Sequence, residues 1–212
     1  EYDDMGNRTH ISYVGLDGKK MTRRDLGYAE IRRSYDSLGN QTQESYFDIN
    51  GNPVLCRAGG YSSSQSIYAG SNQMEVKYLD TEGELILRSD KGYAVVQFQY
   101  DDFGHCISEL YYDTAEQPVI STEHHCAGYK YQYDEKGNKI DTWYIGLDGN
   151  LMIRRDLGVA HIHYEYDGFG NQVKASYYDT ENNPAIRKDR GYAYYVCNYE
   201  NGKDVECRYF NK

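Results

Sequence analysis

The sequence has little proline, almost no tryptophan and no long apolar run. Among 212 residues there are 3 prolines and 1 tryptophan. A membrane-spanning helix needs about 18 or more consecutive apolar residues, and no such stretch occurs, so we expect no membrane insertion. The mean hydropathy of -0.86 is low. A core must therefore be built from one face of each element rather than from continuous apolar segments.

Positive charge is also in short supply. The chain carries 23 Lys and Arg against 33 Asp and Glu, which gives a net charge of -10. Nucleic-acid binding depends on clustered cations that neutralise phosphates. We therefore expect no nucleic-acid partner, and an anionic membrane surface is disfavoured for the same reason.

The cysteines form no recognisable framework. They fall at unrelated positions without a Cys-x-x-Cys pair, namely Cys56, Cys106, Cys126, Cys197 and Cys207. This pattern predicts neither a disulfide scaffold nor a zinc site. Cys197 and Cys207 flank the turn signal Asn201-Gly202. A two-residue turn there would place Cys197 opposite Glu206 and leave Cys207 on the other face, so we expect no bond between them.

What the sequence does contain is tyrosine, with 25 copies against 5 phenylalanines, arranged in a repeat. Tyrosine suits half-buried elements because its apolar ring can be buried while its hydroxyl stays hydrated. The period is 33 residues apart from one step of 32, and a seventh copy is partial. The copies start at Tyr2, Tyr35, Tyr68, Tyr100, Tyr133, Tyr166 and Tyr199. We interpret residues 1–212 as a single repeat domain.

Most copies carry two turn signals, whereas Tyr68 opens a degraded copy. The first reads Tyr-Asp-x-x-Gly-Asn, as at residues 35–40, and the second reads Asp-x-x-Gly-x-Pro, as at residues 48–53. The Asp caps its own turn and the Gly supplies a positive φ, which is typical of a hairpin with a bulge. Apolar residues alternate with period two between the turns, which predicts strands. A third short strand is expected at segments such as 54–56.

A period of 33 residues is also the ankyrin length, but ankyrin repeats need helical spacing that is missing here. We therefore expect an all-β fold, an elongated array of antiparallel β-hairpin repeats with about three short strands each, similar to a solenoid or spiral sheet. Copies one and five are unusually close, as YVGLDGKKMTRRDLGYAEI from Tyr13 and YIGLDGNLMIRRDLGVAHI from Tyr144 show. This indicates duplication of a block of four repeats.

The Tyr-Asp-x-x-Gly-Asn turns resemble the YD repeats of the bacterial RHS family along the whole chain. That resemblance implies a secreted or cell-surface bacterial protein in which β-strands wind into a shell around a toxic cargo. A weaker similarity links SYFDINGNPV at Ser45 and SYYDTENNPA at Ser176 to the choline- and glucan-binding repeats of surface proteins. It implies ligands held between aromatic rings of adjacent hairpins.

Two polar patterns could hold a metal. The alternation Asp48-x-Asn50-x-Asn52 has calcium-like spacing, but Gly15 and Gly146 replace the leading carboxylate in other copies, so turn capping is favoured. His161 and His163 share a strand face and could share an ion. No other copy repeats them and no third ligand is evident, so a solvated polar face is favoured. We expect no metal and no cofactor.

A catalytic site would require residues that occur in one copy of the repeat and not in the others, such as a nucleophile with its general base. The run 62–64 of three serines is better explained as a degraded strand, and we assign no catalytic residue.

A row of aromatic residues lies on the outer face of the second strand of the repeats. Its candidate ligand-binding residues are Phe47, Tyr112, Trp143 and Tyr178, beside Ile145. Such a row indicates either packing against a second layer or a ligand surface.

We therefore expect a non-catalytic module of a bacterial cell-surface or secreted protein that binds a polysaccharide, cell-wall glycan or host protein through repeated aromatic sites. The alternative is a passive stalk or an RHS-like shell segment of a larger secreted protein. Solvent exposure of Trp143 distinguishes the two, because a ligand surface needs exposed rings.

Overall fold

The computed structural model describes residues 1–211, which form strands and turns and contain no helix. No helix in that part of the chain is therefore long and apolar enough to cross a membrane. Thirteen strands follow one another in the sheet in chain order, and the all-β prediction of repeated hairpins is confirmed. The strands are β1 (His10–Ser12), β2 (Glu30–Tyr35), β3 (Gln41–Phe47), β4 (Ser63–Ala69), β5 (Asn72–Leu79), β6 (Val95–Tyr100), β7 (Cys106–Tyr112), β8 (Gly128–Tyr133), β9 (Lys139–Ile145), β10 (His161–Tyr166), β11 (Gln172–Tyr178), β12 (Tyr194–Glu200) and β13 (Lys203–Phe210).

The Tyr-Asp-x-x-Gly turns at Tyr35, Tyr100, Tyr133 and Tyr166 each lie between two successive strands of the sheet, as the sequence predicts. In the β2–β3 hairpin, Asp36 Oδ1 accepts hydrogen bonds from the backbone N–H groups of Leu38 and Asn40, both at 2.9 Å. The Asn40 amide donates to Asp36 Oδ2 at 2.9 Å. Gly39 has a φ of +82°, a conformation that costs glycine nothing. A β-bulge lies just before Tyr35.

The tyrosine that opens the motif ties its hairpin to the preceding one. The hydroxyl of Tyr35 donates to the carbonyl of Arg8 at 3.1 Å. Tyr166 makes the equivalent bond to the carbonyl of Lys139 at 3.0 Å. The Tyr-Asp pair therefore combines a local role in the turn with a role between repeats.

Neighbouring hairpins pair over shorter ladders than the strands within a hairpin. Strands β8 and β9 share six paired positions, whereas β9 and β10 share three, from His161↔Trp143 to His163↔Asp141. The β3–β4 junction likewise has three. Contacts outside the ladders are consequently needed to hold one hairpin on the next.

The segment after the second turn contributes a single bridge rather than the third strand expected from the sequence. Phe47 bridges Pro53, and the N–H of Val54 donates to the carbonyl of Tyr46 at 3.0 Å. The chain then turns into the loop before the Gly-Tyr-Ala segment, so pairing cannot continue.

That loop carries a second recurring pattern, Arg-x-Asp-x-Gly, at residues 23–27, 88–92, 154–158 and 187–191. Successive loops bond to each other: the N–H of Thr122 donates to the carbonyl of Lys91 at 3.0 Å, and the N–H of Lys188 to that of Leu157 at 2.8 Å. Gly92 has a φ of +75°, and a Cβ there would lie 2.8 Å from Thr122 Cγ2. Glycine is thus required both for the backbone conformation and for the close approach of the next loop.

The described chain divides into two compact units, the first made of Glu1–Phe98 with Tyr111–Glu123. A ladder of tyrosine rings forms its core, with neighbouring centroids 4.5 to 6.1 Å apart. The Arg88 guanidinium lies 4.7 Å from the centroid of Tyr78 and is held by Asp90 at 2.7 Å. The ladder consists of Tyr13, Tyr28, Tyr46, Tyr61, Tyr78, Tyr93 and Tyr111.

The second unit comprises Gln99–Leu110 with His124–Lys212. Cys126 and Val159 stand there at repeat positions that hold tyrosines of the ring ladder in the first unit. The core of the second unit therefore mixes other apolar residues with tyrosine. Tyr144 is 4% exposed in this core, and burial raises the pKa of its hydroxyl to about 12. Arg154 repeats the role of Arg88, lying 5.2 Å from the Tyr144 ring centroid.

The expectation that Cys197 and Cys207 remain unpaired is wrong, because they form a disulfide with their Cα atoms 4.1 Å apart. A β-bulge between Asn198 and Tyr199 leaves Val205 unpaired and shifts the register by one residue. Cys197 then lies opposite Cys207. The regular ladder assumed from the sequence lacked this bulge, although the same irregularity precedes the motif tyrosine in other hairpins.

Candidate functional site

Three aromatic rings stack on the outer face of neighbouring strands in the second unit. Trp143 on β9 and Tyr178 on β11 both lie opposite His161 on β10. The His161 ring is 5.0 Å from Trp143 at an interplanar angle of 15°, and 5.2 Å from Tyr178 at 23°. Two of the predicted ligand-binding residues are therefore brought together, with a histidine between them.

The other two predicted residues belong to the first unit and lie on different hairpins. Phe47 ends β3, and its ring lies under the guanidinium of Arg32, 4.0 Å from the ring centroid. Tyr112 ends β7 and accepts a backbone bond from Ala94 at 2.8 Å. All four predicted side chains, Trp143 included, are half-buried. They form neither a fully exposed row nor a layer closed off from solvent.

Shallow grooves lie beside three of these residues. A groove of about 590 Å³ is lined by Tyr178, Pro184 and Tyr194 among others. One of about 670 Å³ includes Trp143 and Tyr131 in its lining. A smaller one of about 260 Å³ lies beside Phe47 in the first unit. Each groove has the mixed aromatic and polar lining that suits a weakly held ligand.

A polar cluster lies beside the aromatic stack. Asp141 Oδ1 is 2.6 Å from His161 Nε2 and 2.8 Å from His163 Nδ1. The side chains of Asp141, His161 and His163 are 11%, 12% and 35% exposed. Asp141, from the neighbouring strand, thus supplies the third candidate ligand atom that the sequence did not reveal.

Sequence reasoning missed Asp141 because the pairing between hairpins cannot be read from local turn chemistry. The signal is nevertheless present in the repeat. Each junction of this kind among the described strands contains one pair of residues 22 positions apart, as His10↔Arg32 and Glu75↔Gln97 also show. A register established at one junction would have predicted that Asp141 faces His163.

Copy one carries a different set of charges at the equivalent place. Glu30, only 1% exposed, pairs with Arg32 at 2.6 Å, with His10 at 3.1 Å and with Lys20. Burial opposes its ionisation, but hydrogen bonds from Lys20 and Arg32 outweigh burial and hold the pKa of Glu30 below its usual range. The charge of this carboxylate is therefore balanced by fixed cations.

The calcium-like turns use their carboxylates internally. Asp48 Oδ1 accepts the N–H groups of Asn50 and Asn52 at 2.8 and 2.9 Å, and Oδ2 accepts the Asn52 amide at 3.1 Å. These bonds hold the pKa of Asp48 below its ordinary value. The turn-capping role favoured by the sequence is observed.

No protein-family model matches the chain, and no curated protein matches it. Among solved structures it has a distant structural similarity to three TcdB2-TccC3 crystal structures. With TcdB2-TccC3-TEV the identity is 13%, the TM-score 0.48, and the match covers 92% of this chain and 10% of that chain. For TcdB2-TccC3-Cdc42 these values are 12%, 0.41, 92% and 10%. For TcdB2-TccC3 without its hypervariable C-terminal region they are 13%, 0.41, 96% and 10%. This chain thus spans about a tenth of the length of the chains it matches.

Proposed function

We propose that the chain is a non-catalytic structural segment, a stalk or shell part built from stacked hairpins within a larger secreted or surface-displayed bacterial protein. The observation that carries this proposal is the use of the recurring residues for contacts between repeats. The tyrosine ladder runs from Tyr13 to Tyr111 in the first unit, with arginines such as Arg88 lying against its rings.

The loops add a second line of contact. The glycine of Arg-x-Asp-x-Gly has no side chain, so the next loop can approach closely enough to form a backbone hydrogen bond. Gly92 allows Thr122 to approach in this way, and the N–H of Thr122 donates to the carbonyl of Lys91. The opening tyrosine of each motif donates to the preceding hairpin, as Tyr35 does to Arg8. In such an array, stability is a sum of repeat and interface terms. A segment of this kind suits a role in which length and rigidity matter.

The disulfide supports an extracellular location. Disulfides form and persist in oxidising compartments outside the cytosol. Cys197 and Cys207 close the last hairpin, β12–β13, where the sheet has no further strand of residues 1–211 to cover it. The bond thus reinforces the hairpin with the fewest neighbours, and the RHS resemblance of the sequence implies the same location.

Removal of one full period tests the structural proposal. Deleting residues 134–166 joins Tyr133 to Asp167, which restores a Tyr-Asp turn and lets β8 pair with β11. We expect the shortened chain to fold with unchanged strand content per residue and to unfold at a lower urea concentration, because one interface is lost. An unfolded product would contradict the proposal, since it would show a core that depends on one particular repeat.

The grooves favour a second candidate function, binding of a glycan or host protein. A ligand stacked on Trp143 or Tyr178 would be held weakly at each groove, and several repeats engaging one polymer would supply the strength. A pull-down on insoluble peptidoglycan, with a glycan and host-protein array, tests this. Trp143→Ala and Tyr178→Ala should weaken capture, whereas Phe169→Ala should not, because Phe169 is 94% exposed and lines none of these three grooves. Failure of the native chain to bind leaves the structural role alone.

A further inference from the structure

We propose that Asp141, His161 and His163 bind a single divalent transition-metal ion, of which Zn²⁺ is the best fit, and that this ion joins strand β9 to strand β10. Two imidazoles and one carboxylate are a donor set that first-row transition metals accept. The three side chains offer one ligand atom each, and these atoms all lie within 4.8 Å of one another.

The distances suit an ion that replaces the hydrogen bonds. Asp141 Oδ1 lies 2.6 Å from His161 Nε2 and 2.8 Å from His163 Nδ1. Zinc bonds are about 2.0–2.2 Å long, so neighbouring ligand atoms around the ion lie roughly 3 to 3.5 Å apart. A movement of less than about 1 Å away from the Asp141 oxygen would admit the metal, and His163, the most exposed of the three side chains at 35%, can make it.

The surroundings orient the ligands in advance. The His161 ring is held between Trp143 and Tyr178, with both rings nearly parallel to it, so its plane is set before an ion arrives. His163 is 35% exposed, which leaves an open side for entry and for a water molecule as fourth ligand. The aromatic stack thus acquires a second role as the support of a metal ligand.

Within residues 1–211, this cluster has no lysine or arginine beside its carboxylate, unlike the equivalent place in copy one. Where copy one has Lys20 and Arg32 beside its buried carboxylate, copy five has Leu151 and His163. The side-chain partners of Asp141 Oδ1 are the rings of the two histidines. A carboxylate that is 11% exposed requires a compensating charge, and a divalent cation supplies it where no lysine or arginine does.

The position of the cluster gives the ion a structural effect. Strands β9 and β10 pair at three positions, and the proposed ligands come from both strands. An ion there would cross-link two successive hairpins at a short ladder. Metal binding by the native chain should therefore raise its melting temperature, because the ion binds the folded form in preference.

Titration of the full chain with Co²⁺ and then Zn²⁺ tests the proposal. We expect one equivalent of Co²⁺ to give visible d–d absorption that Zn²⁺ displaces, and calorimetry to give one Zn²⁺ site. Asp141→Ala and His163→Ala should each weaken affinity at least about tenfold, since each removes a direct ligand. His10→Ala is the matched control, because His10 occupies the Asp141 position in copy one, and it should bind as the native chain does.

Several outcomes would overturn the proposal. They are failure of the native chain to bind either ion, binding that persists in both ligand variants, or equal loss in the His10→Ala control. Circular dichroism must show that each variant retains its strand content. Should Asp141→Ala unfold, His163→Ala decides alone, because His163 is the most exposed of the three ligands.

Discussion

Replacement of Gly92 by alanine would place a Cβ in the contact between two successive loops. Gly92 has a φ of +75°, and the new Cβ would lie 2.8 Å from Thr122 Cγ2 and 3.3 Å from Thr122 N. The threonine cannot easily rotate away, because its β-branched side chain is restricted and its N–H donates to the carbonyl of Lys91. The loops must therefore separate or the backbone must shift.

The expected loss of stability combines two costs. A left-handed conformation costs an alanine about 1–2 kcal/mol, and overpacking of a close contact costs about 1–3 kcal/mol. Alanine also lowers the conformational entropy of the unfolded chain, which offsets about 0.4–1 kcal/mol of this loss. The free energy of unfolding should thus fall by roughly 2–4 kcal/mol.

Gly191 provides a matched control in the last Arg-x-Asp-x-Gly loop. Its φ is +78°, and a Cβ there would meet no neighbouring atom of residues 1–211 within 4 Å. Gly191→Ala should therefore carry the conformational cost without the steric one, at about 1 kcal/mol. The difference between the free energies of unfolding of the two variants therefore measures the steric cost at the contact between the loops.

Urea unfolding followed by circular dichroism gives the two free energies, and hydrogen exchange reports the local effect. The amide of Thr122 should exchange faster in Gly92→Ala, because its bond to Lys91 at 3.0 Å is disturbed. Equal losses in Gly92→Ala and Gly191→Ala, with unchanged exchange at Thr122, would refute the interlocking of the loops.

Three further predictions concern pH, redox state and the turns. Burial raises the pKa of Tyr144 to about 12. The protonated hydroxyl therefore stabilises the fold fully below about pH 10, and roughly 3 kcal/mol of this stability is lost as the pH rises towards about 12. The free energy of unfolding measured across this range should fall less in Tyr144→Phe than in the native chain. Reduction of the disulfide, which spans 10 residues, should destabilise the β12–β13 hairpin by roughly 3 kcal/mol, and unchanged hydrogen exchange there after reduction would contradict this. Asp134→Ala removes the acceptor of three hydrogen bonds in its turn and should cost about 1–3 kcal/mol by urea unfolding, with Asp134→Asn losing less.

The sequence alone determined the repeat, the strand character and the first turn. These features depend on neighbouring residues: Asp36 bonds to groups two and four positions later, and Gly39 needs no tertiary contact to adopt a positive φ. Alternation with period two likewise requires only that one face be buried. Local chemistry of this kind is visible in any one copy.

The tertiary structure decided which residues meet across strands. A bulge of one residue, which recurs before the motif tyrosine of other hairpins, brings Cys197 opposite Cys207. The short ladder between hairpins brings Asp141 to His163 and places His161 between two aromatic rings. Because side chains alternate across a strand, a shift of one position moves every residue to the other face. Pairings between strands therefore follow from the packing of whole hairpins, which no single copy of the motif specifies.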